Sequence, residues 1–123
     1  MSTKIIIPGR FSGLNEFIDA NRRSRGRWNA GNKMKQEDQD RIRAYLPKVK
    51  IKKRIFVEYC FYEKNARRDK DNISGYFHKI FQDAMVQAGV IENDGWKQIE
   101  GWTDYFYIDS KYPRIEIYIE ERS

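Results

Sequence analysis

The sequence has very little cysteine and histidine, and this scarcity removes several kinds of site. Its 123 residues contain one cysteine, Cys60, and one histidine, His78. A single cysteine excludes an internal disulfide, a paired-cysteine redox motif and a thiolate-rich zinc cluster, and a single histidine excludes a multi-histidine metal site. We therefore expect Cys60 to be a strand residue without chemistry, and the protein to work in a reducing, intracellular compartment.

Long apolar runs are missing as well. A membrane span needs about 20 consecutive apolar residues, and no run in this sequence approaches that length. The opening stretch from Met1 to Pro8 has too short an apolar run for a secretory signal. Because neither a membrane span nor a secretory signal is expected, no membrane partner is expected. With 40% hydrophobic and 15% aromatic residues the chain can build a core, and its length suits one domain over residues 1–123.

Acidic residues are absent from Ala20 to Gln36, although the whole chain has 18 acidic and 24 basic residues and a net charge of +6. Two further basic stretches lie at 48–54 and 64–70. Many such runs are only solvated surface, but three runs within the first 70 residues favour nucleic acid as a partner. The residues that we expect to contact DNA are Arg22, Arg23, Arg25, Arg27, Lys33, Lys35, Arg67, Arg68 and Lys70.

Hydrophobic periodicity predicts elements in the order β-α-β-α-β-β. Ile5 to Ile7 form a short buried strand, followed by a helical turn or two over 15–21 and a helix over 33–46. Residues 49–62 alternate as one long strand. The apolar positions of 73–88 recur at intervals of three and four, which indicates the best-defined helix.

Two closing strands are predicted near 98–108 and 115–119. In the second of these, isoleucines alternate with Glu116, Tyr118 and Glu120, so the isoleucines face inward. Together the elements predict a two-layer α+β domain with helices on one face of a mixed four-stranded sheet.

Two aspartates interrupt a basic segment between the long strand and the best helix. Asp69 and Asp71 are two residues apart, so in an extended loop both side chains point the same way and can bind one hard cation through oxygen. Asp71 or Asn72 is also a natural helix cap, and capping alone explains such a residue. Carboxylates among basic residues repel phosphate unless a cation intervenes, so the segment favours metal-dependent phosphodiester cleavage.

A third carboxylate, Asp94, follows the helix. A helix over residues 72–88 runs about 25 Å, and residues 89–94 can return about 20 Å when extended. Asp94 can therefore come back beside Asp69 and Asp71. An Asn-Asp-Gly sequence is equally well explained as a plain turn.

These motifs follow one another in a recognisable order. The chain contains Gly13 to Arg22, then Asp69-x-Asp71-Asn72, Asp83-Ala84-Met85 and Ala88-Gly89-Val90-Ile91-x-Asn93-Asp94-Gly95. The combination resembles the RusA-type Holliday-junction resolvases, above all the small versions carried by phages and prophages of Gram-positive bacteria.

The resemblance implies a homodimer that binds four-way DNA junctions and, with Mg²⁺ or Mn²⁺ as its cofactor, nicks two opposing strands. It implies catalytic and metal-binding roles for Asp69, Asp71 and Asp94. It also implies a phage- or prophage-encoded protein in the bacterial cytoplasm.

The family also uses a lysine on the helix, at the position that corresponds to Gly75 in this chain. The nearest lysine, Lys79, keeps a four-residue spacing to Asp83, as an insertion of about one helical turn would leave it. Lys79 is therefore the implied catalytic lysine. A solvent-facing Lys79–Asp83 pair is the alternative interpretation, and the neighbouring His78 is a second candidate for contacting phosphate.

Two other functions are compatible with much of the sequence. A non-catalytic nucleic-acid-binding protein needs only the basic runs and aromatic residues, and a structural or partner-binding module would make the basic surface incidental. The aspartates favour the nuclease, because a pure binder gains nothing from them. Among the tryptophans, Trp28 suits either stacking on an unpaired base or closing a loop, whereas Trp96 and Trp102 are expected in the core or in a dimer contact.

Overall fold

The predicted periodicities correspond to four strands and three helices in the computed structural model, which describes residues 2–23 and 30–122. The elements are β1 (Ser2–Pro8), α1 (Leu14–Arg23), α2 (Ala30–Arg43), β2 (Arg54–Glu63), α3 (Lys70–Gln87), β3 (Ile99–Ile108) and β4 (Arg114–Arg122). This order and the mixed sheet confirm the predicted α+β class. Among the described residues, no helix combines the length and apolar character that crossing a membrane requires.

The sheet has the strand order β1-β4-β2-β3. β4 pairs antiparallel with both β1 and β2, whereas β2 and β3 are parallel. Parallel neighbours need a crossover connection, and α3 provides it. The start of α3 therefore lies at the carboxyl end of β2, and the chain that follows α3 leads back to the beginning of the edge strand β3.

Packing of α3 on one face of the sheet forms the centre of the core. Phe77 and Phe81 each meet the ring of Tyr59 edge to face, at centroid distances of 6.0 and 5.8 Å. The predicted inward face of β4 is confirmed, since its three isoleucines are buried. The strand residues with no exposed surface on this face are Ile7, Ile55, Val57, Tyr59, Phe61, Ile117 and Ile119.

Two strand predictions were wrong in detail. β2 begins at Arg54 rather than near 49, because the Ile51 amide donates to the Val90 carbonyl at 2.7 Å and Val49 is exposed. The Ile5 to Ile7 strand is not buried throughout, because alternate residues point to opposite faces and Ile6 is 38% exposed.

The opposite face of the sheet, which we call the open face, carries tyrosines and carboxylates. Cys60 lies on it and is buried by its neighbours. Burial, reinforced by the carboxylates of Glu58 and Glu116, raises the pKa of the Cys60 thiol to about 11, so it stays protonated at neutral pH. The open face comprises Lys4, Ile6, Phe56, Glu58, Cys60, Tyr62, Tyr105, Tyr107, Glu116, Tyr118 and Glu120.

Candidate functional site

The helix α3 begins at the paired aspartates. Asp69 is its N-cap residue, with extended backbone (φ −67°, ψ 152°), and the Asp69 carboxylate makes no capping hydrogen bond. Asp71 lies in the first helical turn, where the helix dipole favours a negative charge. The expectation that Asp71 or Asn72 caps the helix was therefore wrong. The expected extended loop was wrong too, because Asp71 is already helical.

Asn72 joins the start of α3 to the start of α1. Its Oδ1 accepts a hydrogen bond from the Asn15 amide at 2.8 Å. Gly13 lies so close that a Cβ there would be 2.8 Å from the terminal amide atoms of Asn72, so a side chain at this position would displace that amide. Sequence analysis missed this role, because the partners are 57 residues apart and no local pattern connects them.

Arg68 binds a buried carboxylate beside the aspartates. Its guanidinium donates to both oxygens of Glu63, at 3.0 and 3.2 Å, and to the Phe11 carbonyl at 2.9 Å. Arg10 contacts the same carboxylate at 3.3 Å. Only 5% of Glu63 is exposed. The cluster fixes the segment that leads into Asp69 against the end of β2.

Lys79 lies between two carboxylates. Its Nζ is 3.1 Å from Asp83 Oδ1 and 3.5 Å from Asp94 Oδ2. The hydrogen bond to Asp83, with smaller effects from Asp94, raises the pKa of Lys79, so its ammonium is charged at neutral pH. Lys79 therefore pairs with Asp83 and also contacts Asp94, the third predicted carboxylate.

The chain reverses after α3 and brings Asp94 to Lys79. Gly89 adopts a left-handed φ of +75°, which favours glycine at a helix end. Val90 and Ile91 are then buried at 1% and 2% exposure and fix the return. Lys79 is eight residues beyond Asp71, or about 12 Å along the helix axis.

The three predicted metal ligands do not form a preassembled cluster. Within residues 2–23 and 30–122, no three histidine, cysteine, aspartate or glutamate side chains form a group that could hold a metal ion. Their chemistry still fits a hard cation, because Mg²⁺ is usually held by one or two carboxylates together with waters and substrate phosphates. The exposed carboxylates of Asp69 and Asp71 match that description.

A histidine–aspartate pair lies between α3 and the edge strand. His78 Nε2 is 2.7 Å from Asp104 Oδ1. The imidazole packs on Tyr59 and Trp102, with ring centroids 4.8 and 5.2 Å apart. Sequence analysis missed Asp104, although its position in β3 opposite the buried Tyr59 would have placed it on the helix side of the sheet.

The basic residues expected to contact DNA differ in their partners. Arg22 and Arg23 are exposed in the last turn of α1, and Arg67 and Lys70 are exposed beside the aspartates. Lys35 instead contacts Asp83 at 3.4 Å.

Three further residues predicted to contact DNA are Lys33, Arg25 and Arg27. Lys33 contacts Glu37 at 3.8 Å. Arg25 and Arg27 lie outside the described residues, as does Trp28.

A groove of about 350 Å³ opens beside Asp94, between Gln82 of α3 and the beginning of β3. Trp96 and Trp102 line it and are 95% and 46% exposed. The core position suggested for these tryptophans was therefore wrong. Trp96 is held outside because it lies in a turn in which the Gly95 carbonyl accepts hydrogen bonds from two later amides.

Comparison with known proteins gives no further assignment. No protein-family model matches the chain, and no curated protein sequence matches it. The function can therefore be inferred from the residues of the site and from the motifs that they form.

Replacing Arg68 tests whether this residue stabilises the fold. Arg68→Met should lower the free energy of unfolding by about 2 kcal/mol, because it removes the forked partner of a buried carboxylate. The control, Arg67→Met, removes the same charge from an exposed neighbour and should change stability by less than about 0.5 kcal/mol. Urea denaturation at pH 7 measures both values. Equal stability of the two variants would contradict a structural role for Arg68.

Proposed function

We propose that the protein is a metal-dependent endonuclease that resolves four-way DNA junctions by paired nicks in opposing strands. One observation carries the proposal: Asp69 and Asp71 are exposed at the start of α3, beside the exposed cations Arg67 and Lys70. The motif resemblance to RusA-type resolvases supports the junction as substrate. It also supports a phage or prophage origin and a place in the bacterial cytoplasm.

The start of α3 suits a scissile phosphate. Asp69 and Asp71 would hold Mg²⁺ or Mn²⁺, which when bound activates water and neutralises charge on the phosphate. Arg67 and Lys70 attract the neighbouring phosphates of the strand. The helix dipole at the start of α3 adds a positive potential that favours the same anion.

Lys79 and Asp94 provide the second part of the proposed machinery. The Lys79 side chain is 65% exposed, so a phosphate oxygen can approach its ammonium. Asp94 lies 3.5 Å from that ammonium and either orients it or completes the metal site once DNA is bound. In both cases the Lys79–Asp94 contact keeps a cation and a carboxylate together on the solvent side of α3.

A non-catalytic DNA-binding protein is the second candidate. The observation in its favour is that the described residues contain no group of three ligands that could hold a metal ion. Exposed cations such as Arg22 and Arg23 suffice for such a protein. A cleavage assay separates the two candidates.

Asp71→Asn should abolish cleavage of a synthetic four-way junction and leave junction affinity within about threefold. The substitution removes a carboxylate ligand but keeps the shape of the side chain, and the lost dipole interaction is worth only about 0.5 kcal/mol. Denaturing gels with and without Mg²⁺ measure cleavage, and gel shift in EDTA measures affinity. Asp19→Asn, at an exposed position of α1, is the control and should cut normally. If Asp71→Asn and Asp69→Asn both cut at the wild-type rate, the active site is wrongly assigned.

Junction affinity should fall steeply with salt. If the basic residues contact six to eight phosphates, the logarithm of the association constant against the logarithm of salt concentration should have a slope of about −5 to −7. Neutralising Arg22, Arg23, Arg25 and Arg27 together should flatten the line. Fluorescence anisotropy over a salt series measures the slope, and a slope near zero would remove the electrostatic argument.

The active unit should be a homodimer. A four-way junction presents two equivalent scissile positions, and a two-fold dimer with one site per subunit matches that symmetry. Sedimentation equilibrium should give about twice the 14.8 kDa chain mass, and mixed dimers of wild type and Asp71→Asn should cut one strand only. Paired nicking by a strict monomer is the contrary result.

A further inference from the structure

Trp96 is exposed to an extent that the fold does not explain. Its 95% exposed side chain is unusual, because tryptophan is among the residues most buried on average. The turn around it is nevertheless ordered by two hydrogen bonds to the Gly95 carbonyl, from Gln98 at 3.1 Å and from Ile99 at 3.0 Å. The fold therefore presents a flat aromatic surface to solvent from a defined position.

The groove next to this indole combines aromatic walls with hydrogen-bonding groups. Trp102 forms a second aromatic wall, and its ring packs on His78. Gln82, Asp94 and Glu100 add polar atoms to the lining. Gln82 is 7% exposed, and its amide nitrogen donates to the Tyr59 hydroxyl at 3.4 Å, which orients the amide.

The charges of the groove select which part of a nucleotide can enter. The carboxylates of Asp94 and Glu100, which pair with Lys79 at 3.5 Å and with Arg122 at 3.6 Å, favour the amino groups of adenine, cytosine and guanine over phosphate. Cations lie just outside, with Lys97 next to Trp96 in the chain and Lys79 at 3.5 Å from Asp94. A base in the groove would thus leave its phosphates near positive charge.

The groove also lies on the same side of α3 as Asp71. Asp71, His78 and Gln82 are spaced by seven and four residues and so share one ridge of the helix. Asp71 and Gln82 are separated by about 16 Å along the axis. That distance is roughly five steps of stacked DNA, and fewer steps of an unstacked strand.

We propose that the groove between Trp96 and Trp102 binds an unpaired nucleobase of the DNA substrate, stacked on Trp96 and held at its edge by the groove carboxylates. The inference rests on the proposed function for the identity of the substrate, and it assigns to the site a preference for unpaired or branched DNA over continuous duplex. Stacking of one base on an exposed aromatic side chain should change affinity by about tenfold, which corresponds to about 1.4 kcal/mol.

The test uses oligonucleotides that carry 2-aminopurine, a base whose fluorescence falls on stacking, and EDTA to prevent cleavage. Wild-type protein should quench the probe in a single strand and at the centre of a four-way junction, but not within duplex. Trp96→Ala should lose the quenching and bind the single strand about tenfold more weakly, whereas Trp96→Phe should keep most of both. Thermal unfolding should be unchanged by either substitution, because this side chain buries almost nothing.

Tyr45→Ala is the matched control, since Tyr45 is an exposed aromatic residue (46%) outside the groove, and it should bind like wild type. Unchanged quenching and affinity in Trp96→Ala would overturn the proposal. A halved sedimentation mass for Trp96→Ala would also overturn it and identify Trp96 as a dimer contact. If the wild-type protein cleaves the junction in Mg²⁺ but does not quench the probe in EDTA, only the base site is refuted. If it quenches the probe in EDTA but does not cleave the junction in Mg²⁺, only the nuclease is refuted.

Discussion

The packing of α3 on β2 determines where the aspartates, Lys79 and the groove lie. Aromatic rings of the helix, chiefly Phe77 and Phe81, meet Tyr59 in the centre of the core. Because this contact fixes the helix in position and rotation, it also fixes the residues on the helix surface. The aspartates lie at its start, Lys79 faces solvent halfway along it, and Gln82 faces the groove at the edge strand. The site thus depends on a hydrophobic interface, which His78 and Gln82 meet at Tyr59.

Charge pairing divides the basic residues into two groups with different tasks. Arg68 binds the buried Glu63, and Lys35 binds Asp83. These two cations therefore stabilise the folded chain around the site. The exposed Arg22, Arg23 and Arg67 keep their charge available to a polyanion. Of the residues predicted to contact DNA, Arg68 and Lys35 therefore cannot do so without weakening an internal ion pair.

The sequence allowed the fold class to be predicted because periodicity reports which faces are buried. It did not allow helix capping to be predicted, since Asp69, Asp71 and Asn72 all favour N-cap positions and only the tertiary structure selects Asp69. The pairing of Asn72 with Asn15 and of His78 with Asp104 had no local signal, because each joins distant segments. The core position suggested for Trp96 was wrong for a related reason. Hydrophobic residues are buried on average, but the turn around Trp96 holds its indole in solvent.

The proposed site would handle a nucleotide by separating its charged and uncharged parts. At the start of α3, the helix N-terminus, the exposed cations and a metal ion held by the aspartates would all favour phosphate. In the groove, carboxylates disfavour phosphate, and aromatic walls favour a base. A paired base within duplex cannot reach the groove without unstacking, which costs a few kcal/mol, whereas a base at a branch point has lost part of that stacking already. Selectivity for branched DNA would then arise from the distance between the phosphate-binding start of α3 and the base-binding groove. It would not require a contact with the whole junction.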